Sequence, residues 1–326
     1  MNFGGAPLMP LMMGIGLFSF ALFTHLRGTI INNIWWVIAV TSLSTALGLA
    51  VAKLADGAKF EPMAKSFVFM PMAISFVSAS IIWRLMMYQA RDASKSQTGL
   101  LNSIWVWLGK VTTQSPGKVI IGGIFLLAAV ALLVATVRAL ANSPAVAGLY
   151  GVLSVIPLWV AFRTFGDGIG GYTPIEGDVV RANPINFVQG IPFNNFWLMM
   201  ILIWIQTGFA MVILSAAIKA VPEDFIEAAK IDGATDGQIF WRITVPQILP
   251  TIGVVATTIM VNVMKVFDIV KVTTNGQFDT QVLANAMYNE AFQFGNRGVG
   301  AALAMVLFLG ILPVMVFNIY NLTKED

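Results

Sequence analysis

Glu227-Ala228-Ala229-Lys230-Ile231-Asp232-Gly233, running on to Ile243-Thr244-Val245-Pro246, is a polar interruption between two long apolar runs. Pro222 suits the first turn of a helix, and Glu223 and Asp224 put negative charge at the positive end of its dipole. Gly233 offers the permissive backbone that ends such a helix. Thr235 followed by Gln238 has capping-box spacing for a second helix, and Pro246 marks the expected boundary before the next apolar run. The pattern predicts two short helices joined at a glycine and carried on a membrane face, a shape suited to docking.

The surrounding chain is very hydrophobic. Of 326 residues, 57% are hydrophobic and 11% charged, where soluble domains carry roughly 25% charged residues. Mean hydropathy is +0.80. Several apolar runs approach the ~20 residues that cross a bilayer core. The expected fold is an all-α polytopic transmembrane bundle of about eight spans, near 7–25, 34–54, 67–89, 118–139, 146–162, 196–219, 247–271 and 299–321. The first is read as a retained span, since no Lys or Arg precedes it and no small-residue cleavage pattern follows.

Composition also excludes. Cysteine is absent and His25 is the single histidine, so thiol chemistry, disulfides and a cysteine–zinc site are out. His25 is read as an interfacial residue, and no metal site is supported. The +3 net charge is scattered between spans, without the basic, aromatic-interleaved cluster that nucleic acid requires. No Gly-x-x-x-x-Gly-Lys-Ser/Thr run occurs, so the chain brings no phosphate-binding loop of its own. No catalytic constellation is evident either.

The docking stretch carries a resemblance. Glu227, Ala228, Ala229, Gly233, Ile243 and Pro246 stand at the spacing of the Glu-Ala-Ala loop in membrane subunits of binding-protein-dependent ATP-driven importers, with Val245 in place of the usual Leu. From about Asn195 to Asn321 the chain resembles carbohydrate importers of the maltose-transporter type, and within them the permeases assigned to α-glucosides. Phe69-Met70-Pro71-Met72-Ala73-Ile74-Ser75-Phe76-Val77 and Gly99-Leu100-Leu101-Asn102-Ser103-Ile104-Trp105 add to the likeness.

The resemblance implies the type I importer permease fold and a non-catalytic subunit of a bacterial inner membrane. It also implies a homologous second permease, two ATPase subunits that hold ATP and Mg, and an extracytoplasmic sugar-binding protein. Phe225, Ile226, Ala228, Ala229 and Ile231 then offer an apolar stripe to the ATPase, with Glu227 placed for a charge-assisted hydrogen bond. Asp232, Gly233, Ile243 and Pro246 complete the docking set. Lys and Arg divide eight against eight between the two faces, so charge bias leaves orientation open. A docking loop that meets an ATPase lies in the cytoplasm, and parity over eight spans then puts both termini there.

Four regions follow: 1–66 with the N-terminal spans and a cytoplasmic loop, 67–110 with a core span and outer loop, 111–183 as an inserted hydrophobic hairpin, and 184–326 as the permease core with docking loop 220–246. In related permeases the Gly-Leu-Leu-Asn stretch and Pro184-Ile185-Asn186-Phe187-Val188-Gln189 lie much closer together.

Sugars want amides or carboxylates for hydroxyls and aromatic faces for the apolar side of the ring. Trp204 and Gln206, midway along 196–219, fit those needs or serve core packing. The resemblance implies that Asn262, Phe267 and Asp268 line the sugar path, although Lys265 and Val266 stand where the family has an asparagine-rich run. Lys265, Asp268 and Lys271 are expected on one helix face. Lys265 falls ~27 Å along its span, so these charges either serve the path or snorkel at the outer interface. Thr274-Asn275-Gly276-Gln277-Phe278-Asp279 reads as an outer turn and a candidate contact for a binding protein, as do loops 91–117 and 163–195. The contrasting function is an ion-gradient-driven secondary transporter or channel, which wants deep charges and inverted repeats; neither is evident.

Overall fold

The segment Asn194–Lys219 is apolar on every side, and as helix α7 it is the most enclosed of the four long spans among the described residues, 56% buried over its most apolar window. The computed structural model describes residues 8–56, 60–89, 97–140, 144–166, 168–174, 180–191 and 193–322. Lys59, Arg91, Lys95 and Lys324, counted for orientation, and the side chains of His25 and Arg181, lie outside the described residues.

The helices in order are α1 (Leu8–Asp56), α2 (Glu61–Phe69), α3 (Phe76–Met86), α4 (Leu100–Thr113), α5 (Gly117–Leu140), α6 (Pro144–Phe165), α7, α8 (Glu223–Ile231), α9 (Asp236–Ile239), α10 (Val245–Gln247), α11 (Leu249–Met264), α12 (Asp268–Thr273), α13 (Leu283–Tyr288) and α14 (Arg297–Leu322). A two-stranded antiparallel ribbon, Tyr172–Pro174 with Val180–Ala182, is the small departure from an all-α architecture among the described residues.

Among the described residues four helices are long and apolar enough to cross a membrane, or six if each of two bent pairs counts as one span. Two of the expected spans join and a third bends. Spans 7–25 and 34–54 are continuous in the 49-residue α1. No proline falls between Pro10 and Pro62, so nothing in the backbone forces a turn near 26–33. Span 67–89 is bent by 100° between Glu61–Ala73 and Phe76–Met86. Pro71 sits in the 3₁₀ turn Met70–Ala73 at the corner. Ser75 then caps α3, its hydroxyl accepting from the Ser78 N–H at 3.2 Å.

One compact unit comprises the chain up to Trp83 and from Val188 onward. Its core is α7 against α1 and α11, with Trp36, Val40, Leu198, Ile201, Met211, Leu214, Val255 and Ile259 fully enclosed. α1 and α7 run parallel. Trp36 Nε1 donates to Asn195 Oδ1 at 3.2 Å at one end, and Ser215 Oγ donates to Asp56 at 2.7 Å at the other. Between them Gly48 lies against Ala210, so close that an added Cβ would stand 2.4 Å from that methyl. Any larger residue there would part the pair.

The second unit spans Arg84–Phe187. α5 and α6 form an antiparallel hairpin, with Lys118 Nζ donating to the Gly166 carbonyl at 2.9 Å. Asn102, fully buried, donates to the carbonyls of Tyr88 and Ile185, both at 3.1 Å, and accepts from the Ile185 N–H at 2.8 Å. The chain therefore leaves α4 and returns at Pro184-Ile185 to nearly the same point.

Candidate docking segment and transport path

α7 ends at Lys219, and after Pro222 the nine-residue α8 begins with Glu223 and Asp224 in its first turn. Its end is a Schellman turn: the Gly233 N–H meets the Lys230 carbonyl at 3.0 Å, and the Ala234 N–H meets that of Ala229 at 2.9 Å. Gly233 adopts φ +79°, a region that glycine enters without steric cost. Thr235 caps α9 in a reciprocal box, donating its N–H to Gln238 Oε1 at 2.8 Å and accepting the Gln238 N–H at 3.4 Å.

Helical structure does not stop at Pro246. A five-residue π turn, Phe240–Thr244, precedes α10, which contains Pro246. Pro246 has no N–H to give the carbonyl four residues back, and the widened turn accommodates that loss. The break comes at Ile248, just before Pro250, with a bend of 67° into α11.

The expected five-residue stripe on α8 divides between two faces. Phe225, Ala228 and Ile231, three apart, point outward with Glu227 and Asp232; Phe225 is 55% and Ile231 86% exposed. Ala229 is buried and Ile226 half-buried, so both face the protein. Ile243 is half-buried in the π turn and Pro246 is exposed.

The two flanks of this segment are tied to the end of α1 and the start of α2. Lys65 of α2 donates to Asp56, to Glu61 at 2.6 Å and to Ser215, and Lys219 donates to Glu61. Downstream, the Lys53 ammonium lies 5.3 Å from the centre of the Phe240 ring. In the sequence Lys53 and Lys65 are only two of the scattered charges that bear on orientation, and Asp56, Glu61 and Ser215 belong to no motif. The available signals were the Glu61/Lys65 spacing of four and Ser215 four before Lys219.

At the far end of α11, Asn262, Lys265, Phe267 and Asp268, with Phe76 and Leu202, surround a cavity of about 170 Å³. Lys265, Asp268 and Lys271 do not share one helix, because α11 ends at Met264 and Phe267 is non-helical at φ −133°. Lys271 turns instead to Asn289, donating to its Oδ1 at 2.9 Å, with its ammonium 4.6 Å from the centre of the Tyr288 ring. Trp204 packs edge-on against Trp83, centroids 5.8 Å apart. Gln206 is buried in the α7 core, and its Nε2 has no hydrogen-bond partner among the described residues. Neither residue lines the cavity.

Beyond α12 the chain makes a tight turn in which Asn275, Phe278 and Asp279 have φ of 53°, 58° and 58°. Side-chain amides hold it. Asn194 donates to the Phe278 carbonyl at 2.5 Å, while Asn195 and Asn32 donate to that of Asp279 at 2.9 and 2.6 Å.

Apolar spans around a small polar cavity, with an exposed two-helix knob between two of them, define a membrane transport subunit. Residues 44–322 match the family described as binding-protein-dependent transport system inner membrane component, and the chain belongs to that family. It is therefore a multi-pass inner-membrane subunit of a transport system and not an enzyme. It is 41% identical to the alpha-glucoside transport system permease protein AglF of Rhizobium meliloti (strain 1021) over 301 residues, 92% of this chain and 68% of that one. The osmoprotective compounds uptake permease protein GgtC of Synechocystis sp. is 38% identical over 295 residues, 90% of this chain and 80% of the relative. A chain in the crystal structure of a bacterial ABC transporter that imports the acidic polysaccharide alginate shares the fold: TM-score 0.57 at 15% identity, covering 97% of this chain and 93% of that one.

Proposed function

We propose that this chain is the permease subunit of an ATP-driven carbohydrate importer, with an α-glucoside or related oligosaccharide as cargo. The observation that carries the coupling part is α8, an exposed amphipathic knob set between two flanking points of attachment to α1, Ser215 on Asp56 before it and Phe240 under Lys53 after it. Phe225, Ala228 and Ile231 seat in a groove of an ATPase subunit, Glu227 pairs with a basic or amide group there, and ATP and Mg bind in that partner. A homologous second permease, two ATPases and an extracytoplasmic binding protein complete the assembly. ATP closes the ATPase pair, the docking segments move with it, and the sugar path alternates between the two faces. The bias comes from tighter ATP binding to the closed state.

The docking segment then lies in the cytoplasm, and α11 and α14 each cross once, which returns the carboxyl end to the cytoplasm. Parity for the amino end required a turn near 26–33 that α1 lacks, so only the carboxyl-terminal half of that expectation is carried forward. The Asn102–Ile185 pairing supports 111–183 as an insertion that leaves the transport core intact. Asn262, Phe267 and Asp268 contact the cargo, with Lys265 as an added donor. Trp204 and Gln206 serve the α7 core. The test is ATP hydrolysis by the purified assembly with its binding protein, over a panel of α-glucosides, for wild type and Glu227→Ala. Stimulation by a sugar that is lost in the variant is the expected result; transport without any ATPase partner would sink the reading.

A further inference from the structure

The 170 Å³ cavity is well short of the roughly 300 Å³ that encloses a whole drug-sized ligand. A sugar of several rings seated there has to continue outside it. Phe267, part of the cavity wall, also begins a row of three aromatic rings. Its centroid is 5.0 Å from that of Tyr288, and Tyr288 is 5.2 Å from Phe292. Exposure rises along the row, from half-buried Phe267 and Tyr288 to Phe292 at 74%.

The row is built by the local backbone. Tyr288 ends α13, Phe292 lies in the π turn Asn289–Gln293, and their spacing of four puts them on one face. Tyr288 is fixed from one side by the Lys271 ammonium, itself tied to Asn289. Successive ring planes are turned by 45° and 42°.

We propose that Phe267, Tyr288 and Phe292 extend the carbohydrate site and carry the second and third rings of an α-linked oligosaccharide. The first ring sits among Asn262, Lys265 and Asp268. This rests on the carbohydrate reading above. A pyranose has an apolar C–H face that stacks on an aromatic ring, while its hydroxyl edge wants amides and charges. An α-linked chain curves from ring to ring, and the turned planes follow such a curve where a flat ribbon-like sugar would meet only one of them.

The test is uptake by the assembled importer in proteoliposomes, at saturating preloaded binding protein, of methyl α-glucoside and of maltotriose. Wild type is compared with Tyr288→Leu, Phe292→Leu and Phe292→Trp. Leucine keeps apolar bulk but removes the ring face. The maltotriose rate in the leucine variants should fall roughly tenfold further than the methyl α-glucoside rate, about 1.4 kcal/mol, and Phe292→Trp should restore the ratio. If Tyr288→Leu fails to assemble, the exposed Phe292 decides alone. Equal losses for both sugars would mean that the ring packs on lipid or on the second subunit, and the extension falls. Wild-type uptake of methyl α-glucoside without maltotriose also overturns the extension and leaves the carbohydrate reading standing. Uptake of neither sugar overturns both.

Discussion

Two polar segments interrupt the apolar chain of the larger unit, and they are held in opposite ways. The segment 220–246 has a free outer face on α8 and is fastened on either side of it, through Lys219 to Glu61 and through Phe240 to Lys53. The turn at 274–281 is fastened at its carbonyls 278, 279 and 281 by Asn32, Asn194 and Asn195, and three of its non-glycine residues, with Gly276, occupy the left-handed region. An arm that transmits motion has to move as one piece and deliver force at its ends. A turn that costs backbone strain persists only where its surroundings over-determine it.

The largest effect should come from cutting the ion cluster behind the arm's first anchor. Asp56→Ala removes the acceptor of Lys65 and Ser215 and leaves the ammonium, whose side chain is 20% exposed, without that carboxylate. Breaking such a pair costs about 3 kcal/mol, and less here because water reaches part of it. The unfolding midpoint of the purified assembly should drop, and sugar uptake should be lost while basal ATP hydrolysis persists. Lys65 keeps Glu61 in that variant, and the Asp56→Ala/Lys65→Ala double variant should cost less than the two singles added, since the pair can be lost only once. Additive losses would mean that the anchor is not one unit.

The comparison is sharpened by amide hydrogen exchange. Amides at 274–281 should exchange far more slowly than those of α8, whose outer face packs against nothing in the isolated subunit. On adding the ATPase, α8 should become protected and the outer turn should not change. Equal exchange in the two segments would break the contrast. A smaller effect is expected from Asn32→Ala, which strips two hydrogen bonds from the carbonyls of Asp279 and Gln281. Asn195 still donates to the Asp279 carbonyl, so the loss falls on the part-buried Gln281 carbonyl, at a cost of about 1–3 kcal/mol if it is left unpaired, and exchange should quicken at 278–281 with no change in α8.

The docking segment was largely legible because its signals are local. A proline start, a glycine stop and a Thr/Gln capping box each act within four residues. What escaped was long-range: which face of α8 turns inward, and the Asp56–Lys65–Ser215 cluster, whose members are up to 159 positions apart. The two readings of Gln206 could not be separated in the sequence for the same reason. A polar residue amid an apolar span reads as a ligand, yet α7 is enclosed by α1 and α11, and the amide is buried away from the cavity. The asparagines at 194 and 195 carry no pattern of their own; they make sense only once the turn of 278 and 279 lies beside them.

The smallest effect tests the joint of the arm itself. An alanine Cβ at Gly233 would meet nothing within 4 Å, so Gly233→Ala creates no clash. Its cost is the left-handed backbone at φ +79° alone, about 1–2 kcal/mol for an ordinary L-residue. Asparagine enters that region more readily, so Gly233→Asn should lose less stability than Gly233→Ala. Uptake should follow the same order if the joint acts only by holding α8 and α9 at their angle. If instead both variants abolish uptake equally while differing in stability, the ATPase contacts the glycine surface directly. The open space around Gly233 would then belong to the interface, and the arm would be gripped at its joint as well as along Phe225, Ala228 and Ile231.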